Sequence, residues 1–145
     1  MNIPDLSQNL KSLLFNRYEW YEQKLLNSLE QQGNVSLSIA QTRALAVLNG
    51  QSSSISALAR SLNISRQAAH KTVMRLIELD WVKLEESDKG NEKIINFTDY
   101  GQQMRAQIKE HMLCIENDIA MSIGPERYAA LVEILSEDWN SLDKN

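Results

Sequence analysis

The stretch ISALARSLNISRQAAHKTVMRLIELDWV, Ile55 to Val82, breaks in the middle at Asn63. Ahead of the break, Ser54 is placed to cap a short helix whose Leu58, Ala59 and Leu62 share one face. Asn63 is a residue type that tolerates the left-handed backbone needed where a helix must stop. Beyond it, Ser65 is placed to cap a second helix over Arg66 to Leu79. Two short helices joined in this way predict a helix-turn-helix unit. On the second helix Ala69, Thr72, Val73 and Leu76 fall in one sector, and Gln67, His70, Lys71, Met74 and Arg75 in the opposite one. One side packs and the other offers hydrogen-bond donors.

The charge of that outer side is unusual for this chain. The sequence has 15 Lys+Arg against 19 Asp+Glu, a net charge of −4, yet Arg66 to Arg75 contains Arg66, His70, Lys71 and Arg75 and no carboxylate. Lys71 and Arg75 lie four residues apart, a like-charge pair that costs a few tenths of a kcal/mol on a free helix. With no acidic neighbour expected to relieve it, the pair predicts a polyanionic partner, and a donor-lined second helix fits the major groove of duplex DNA. Glu78 and Asp80 at the far end predict that the N-terminal half is the part inserted.

Outward from this unit, WVKLEE and EKIINF flank the polar tip SDKGN and predict a β-hairpin. On the N-terminal side, apolar residues from Leu6 through Leu10, Leu13, Leu14, Tyr18, Tyr21 and Leu25 to Leu29 predict one long helix ended by Gly33. Ser38 is placed to cap a second helix stopped by Asn49-Gly50, and QSSS reads as a polar link. On the C-terminal side, Thr98 is placed to cap a helix with Met104, Ile108, Met112, Ile115 and Ile119 on one side, ended by Gly124-Pro125. A last helix carries Tyr128, Leu131, Leu135, Trp139 and Leu142. The expected fold is mainly α with a small β-hairpin wing, a winged helix-turn-helix plus a further helical region, with about six helices. The expected organisation is an N-terminal helical segment, 1–36, a middle segment with the helix-turn-helix and hairpin, 37–100, and a C-terminal pair of helices, 101–145.

Composition narrows the function classes. At 145 residues, 43% apolar and 23% charged, the chain suits one soluble domain, and a net negative charge argues against indiscriminate coating of nucleic acid. The lone Cys114 forms no internal disulfide and reads as a packed, inert thiol. His111 and Cys114 at (i, i+3) fall short of the three or four ligands of a metal site. No nucleophile–base pair, phosphate loop or metal motif stands out, so no enzyme activity and no cofactor are expected. No apolar run reaches membrane-span length, and a cytoplasmic setting without membrane contact is expected.

The order of elements, the helix-turn-helix above and INFTDYGQQM with its T-x-x-G together resemble the MarR family of winged-helix transcriptional regulators. The resemblance implies a homodimer in which 1–36, an N-terminal dimerisation helix, and 101–145, the C-terminal dimerisation helices, form a helical dimerisation region intertwined in a single domain with 37–100 as the DNA-binding region. It also implies repression from a palindromic operator, with release by a small aromatic molecule or an oxidant. It places Ser65, Arg66, Gln67, His70 and Lys71 at groove-facing positions and Arg75 at the DNA backbone. Arg66 suits a two-bond pairing with guanine and Gln67 with adenine, whereas Lys71 and Arg75 suit phosphate. The wing departs from the family, which commonly carries an Asp-x-Arg element where this chain has Lys89, Gly90 and Asn91. The hairpin holds no arginine, leaving Lys89 and Lys93 as its DNA-binding residues, with Glu85, Glu86, Asp88 and Glu92 opposing them.

Tyr18, Trp20 and Tyr21 on the first helix read either as an effector pocket or as core and subunit interface. The partners expected are therefore double-stranded DNA, a second copy of the chain and a small aromatic ligand. The alternative is a winged-helix module that binds a protein partner and has lost or weakened its grip on DNA.

Overall fold

Polar caps decide where the helices begin. The computed structural model describes residues 1–33, 36–88 and 90–140. Its elements are α1 (Leu10–Gln31), α2 (Ile39–Leu48), β1 (Ser53–Ser54), α3 (Ile55–Leu62), α4 (Arg66–Glu78), β2 (Val82–Glu86), β3 (Lys93–Phe97), α5 (Asp99–Ile123) and α6 (Pro125–Ser136). Ser54, Ser65 and Thr98 each accept the amide N–H three residues on, at 3.1, 3.1 and 2.9 Å. At Ser38 the bonding is reciprocal, since Gln41 N–H reaches the serine hydroxyl and the Gln41 side chain accepts from the Ser38 N–H. Asn49 and Asn63 take left-handed conformations, φ 42° and 53°, and so end α2 and α3.

Three boundaries differ from the sequence expectation. Helix α1 starts at Leu10 because Asn9 accepts the Ser12 N–H at 3.0 Å, which leaves Leu6 outside the helix. Helix α6 stops at Ser136, and Trp139 lies past its end with its indole N–H folded back onto the Ile134 carbonyl at 3.3 Å. Leu142, assigned to the same stripe, lies outside the described residues. The polar link before α3 is a strand: Ser53 pairs with Ile95 and Ser54 with Ile94, giving a three-stranded antiparallel sheet in the order β1-β3-β2. Strands β2 and β3 run in register from Val82 opposite Phe97 to Glu86 opposite Lys93.

Two apolar cores share one residue. The head core gathers Leu45 and Leu48 of α2, Leu58 of α3, Ala69, Val73 and Leu76 of α4, Trp81, Val82 of β2, Ile95 of β3 and Met104 of α5. A smaller core joins Leu25 and Leu29 of α1 to Ile115 of α5, and Ile108 packs against both. The α1–α5 seam also holds polar contacts. Tyr21 donates to Glu116 Oε1 at 3.0 Å, and Ser28 Oγ lies 2.5 Å from His111 Nδ1. Burial, then Glu116, raises the Tyr21 pKa and keeps the phenol protonated.

The T-x-x-G junction is where the wing meets α5. Thr98 Oγ1 also donates to the Trp81 carbonyl at 3.2 Å, and the Thr98 N–H donates to the same oxygen at 3.1 Å. Gly101 faces that carbonyl so closely that a Cβ there would sit 2.0 Å from its oxygen. Threonine and glycine at this spacing thus fasten the end of α4 to the start of α5.

Candidate nucleic-acid interface

Helix α4 carries the charged flank, and α2 and α3 hold its other side. Ala69, Val73 and Leu76 are fully buried, while Arg66, Gln67, Ala68, His70, Lys71, Met74 and Arg75 are exposed. No acidic residue stands in its first turn, where the unpaired amides and the positive end of the helix dipole point outward. Arg66 Nε donates to Ser56 Oγ of α3 at 3.2 Å. The bond uses the inner nitrogen of the guanidinium and leaves the terminal fork free for a bidentate acceptor. Ser65, assigned to the groove, spends its hydroxyl on the Ala68 N–H as the cap of α4.

The cationic flank is shorter than the sequence suggests. Arg75 Nη1 lies 2.5 Å from Glu78 Oε2, so the carboxylate missing at (i, i+4) is present at (i, i+3). This corrects the expectation that no acidic neighbour relieves Lys71 and Arg75. Both members are exposed, so the pair contributes little stability, but it neutralises the C-terminal end of the flank. Among the described residues, the cations of this flank without an acidic partner are Arg66 and Lys71, on the first two turns.

The wing adds little positive charge. Lys93 is exposed at the start of β3, opposite Glu86, and Lys89 lies outside the described residues. Lys83, not singled out from sequence, pairs with Glu85 at 2.6 Å; that bond raises the lysine pKa and lowers the carboxyl's. The alternation along β2, which puts residues 83 and 85 on one face, was the available signal.

The three aromatic residues assigned to an effector pocket each face a different charged neighbour. Tyr18 lies under the Arg43 guanidinium at 5.6 Å, Trp20 under Lys24 at 5.7 Å, and Tyr21 faces Glu116. A cleft of about 600 Å³ opens instead between α1, α2 and α5. Its walls include Leu25, Leu45, Ala46, Ile108 and Met112, and two cations, Arg105 and Lys109, stand among its lining residues without a carboxylate. Arg105 stacks on Phe97 at 4.9 Å and donates to Asn49 Oδ1 at 3.2 Å. It lies over Gly50, whose φ of 76° is a conformation that favours glycine.

Cys114, expected to be packed, is exposed in the single chain. It lies on α5 away from α1, one residue before the buried Ile115, and His111 is turned into the seam toward Ser28. Among the described residues no cluster of His, Cys, Asp and Glu could hold a metal, and no helix is long and apolar enough to cross a membrane.

Residues 35–90 match the sequence model of the MarR family. Among curated proteins none matches the chain by sequence. Among solved structures it is similar to the transcriptional regulator PA4135, at 26% identity and TM-score 0.71, with 94% of this chain and 96% of that one covered. It shares its fold with the transcriptional repressor CouR, solved on a 23-mer DNA duplex, at 20% identity and TM-score 0.73, covering 94% and 96%. It shares it as well with NadR, solved with 4-hydroxyphenylacetate, at 17% identity and TM-score 0.70, with the same coverage. Over residues 35–90 the chain thus carries the sequence pattern of the MarR family, and over nearly its whole length it shares the fold of a winged-helix transcriptional regulator.

Proposed function

We propose that the chain is a homodimeric transcriptional repressor that reads a two-fold symmetric operator through the first two turns of α4. The observation that carries this reading is the acid-free start of α4, with Arg66, Gln67, His70 and Lys71 exposed. Dimerisation is supported by apolar surface that one chain leaves uncovered. Leu10, Leu13, Leu14 and Phe15 of α1 and Leu131, Val132, Ile134 and Leu135 of α6 are all exposed, and α6 buries nothing. A two-fold pair of such heads reads half-sites about 10 base pairs apart.

The cleft between α1, α2 and α5 supports release by a small effector. An apolar wall with two cations and no carboxylate suits an aromatic or other amphipathic acid. A fluorescent duplex of roughly 30 base pairs, from the gene's own upstream region, tests the main reading by titration against salt. Affinity should fall steeply as salt rises, and Lys71→Ala should lower the slope by about one. A flat salt response would overturn the reading.

One observation favours a second reading, a module that binds a protein partner. The wing pairs Lys83 with Glu85, exposes Glu86, Asp88 and Glu92 and carries no arginine. A folded dimer that shifts no duplex at low salt would select it.

A further inference from the structure

Helix α1 packs along α5, whereas α2 packs on α3 and α4 within the head. Among the described residues, the hydrogen bonds that join α1 to the head come from one side chain. Arg43 of α2 donates from Nε to Glu22 Oε2 at 3.1 Å and from Nη2 to Glu22 Oε1 at 3.0 Å. Glu22 is 8% exposed, the one carboxylate among the buried residues. Tyr18, one turn earlier on α1, lies beneath the same guanidinium. A carboxylate gripped by two parallel N–H donors fixes an angle as well as a distance, because rotating either plane breaks one bond. The ring below closes the remaining direction.

We propose that Glu22 and Arg43 are positioning residues that set the orientation of the reading head on the helical base, and through it the operator spacing the dimer accepts. Neither residue faces DNA. Both act through α2, whose Ala44, Leu45 and Leu48 sit in the core that holds α4. Helix α5 is held to the head at its start by Thr98 and Gly101 on the Trp81 carbonyl, and beyond that Arg105 reaches Asn49 by a single bond to a neutral and exposed amide. The spacing claim rests on the DNA-binding reading of α4; the orientation claim does not.

The test uses the full-length protein with Arg43→Lys and Glu22→Gln. Arg43→Lys keeps the charge beside the buried carboxylate and removes the fork, so it carries the test if Glu22→Gln does not fold. Binding is measured to symmetric duplexes whose half-sites differ by single base pairs. Both variants should remain dimers, while the preference for the best spacing over its neighbours falls by about five-fold or more. The double variant should fall no further than either single one, as for two residues acting as a unit. Residual dipolar couplings of the free protein give the angle between α1 and α4 without DNA. The variants should show the head reorienting against α1 where the wild type holds one orientation. Folded variants with unchanged spacing preference and an unchanged angle would overturn the proposal. If wild type binds no duplex, the couplings alone decide the orientation claim, and the loss falls on the DNA-binding reading.

Discussion

Gly101 is a position where one added carbon meets an immovable neighbour. A Cβ would stand 2.0 Å from the Trp81 carbonyl oxygen, which already accepts from Thr98, so the backbone itself must move. Gly101→Ala should destabilise the protein by about 1–3 kcal/mol or more, measured by urea unfolding, despite the better helix propensity of alanine. Tyr21 gives a residue-scale effect of pH. Its folded pKa is raised above the ordinary phenol value, by burial first and Glu116 second. The folded state therefore holds its proton where the unfolded state releases it. Stability should be intact below about pH 10 and fall as pH rises beyond it, and Tyr21→Phe should flatten that fall when unfolding is compared at pH 9 and pH 11. Arg43 contributes differently, through a pair whose carboxylate is buried and whose own side chain is 43% exposed. Arg43→Ala should cost about 2–3 kcal/mol, below the range for a fully buried pair because water reaches the guanidinium.

At the scale of elements, the helices were legible from sequence wherever their ends are decided locally. Ser38, Ser54, Ser65 and Thr98 cap the helices they precede, and Asn49 and Asn63 close theirs, because a short polar side chain needs only its own backbone neighbours to act. The face of α4 was legible for the same reason, since helical period alone sorts Val73 from Lys71. Strand β1 was not. Two serines carry no apolar alternation, and their pairing is set by Ile94 and Ile95, some forty residues away in sequence. The start of α1 was misplaced because the apolar stripe runs on through Leu6, while Asn9 competes for the first free amides. The ion pair on α4 was missed because residues three apart are neighbours on a helix as surely as residues four apart. It yields a prediction for the interface: Glu78→Gln frees Arg75, should tighten DNA binding and should steepen the salt slope by up to about one, in a salt titration beside the wild type.

For the whole molecule, the distribution of apolar surface matters more than its amount. The head is a closed core with Leu58, Val73 and Ile95 fully buried, but the two ends of the chain display leucine, valine and phenylalanine to solvent. An apolar face of this kind on α6 suits a second copy of the chain. Leu135→Asp combined with Leu131→Asp should halve the mass seen by light scattering, leave the head folded by circular dichroism and weaken operator binding by more than ten-fold, because one head alone loses the gain of linked half-sites. The exposed Cys114 belongs to this scale too, since a second subunit would change its surroundings as no residue of its own chain does. Ile108, common to both cores, argues that head and base unfold in one transition. The short strand β1 has a mechanical effect out of proportion to its length. Ser54 is at once the end rung of the sheet and the anchor of α3, so no slack chain separates hairpin from helix. A torque on the wing tip reaches α3, and through their packing α4, with almost no damping, so that bending of the hairpin and tilting of the two helices become a single degree of freedom.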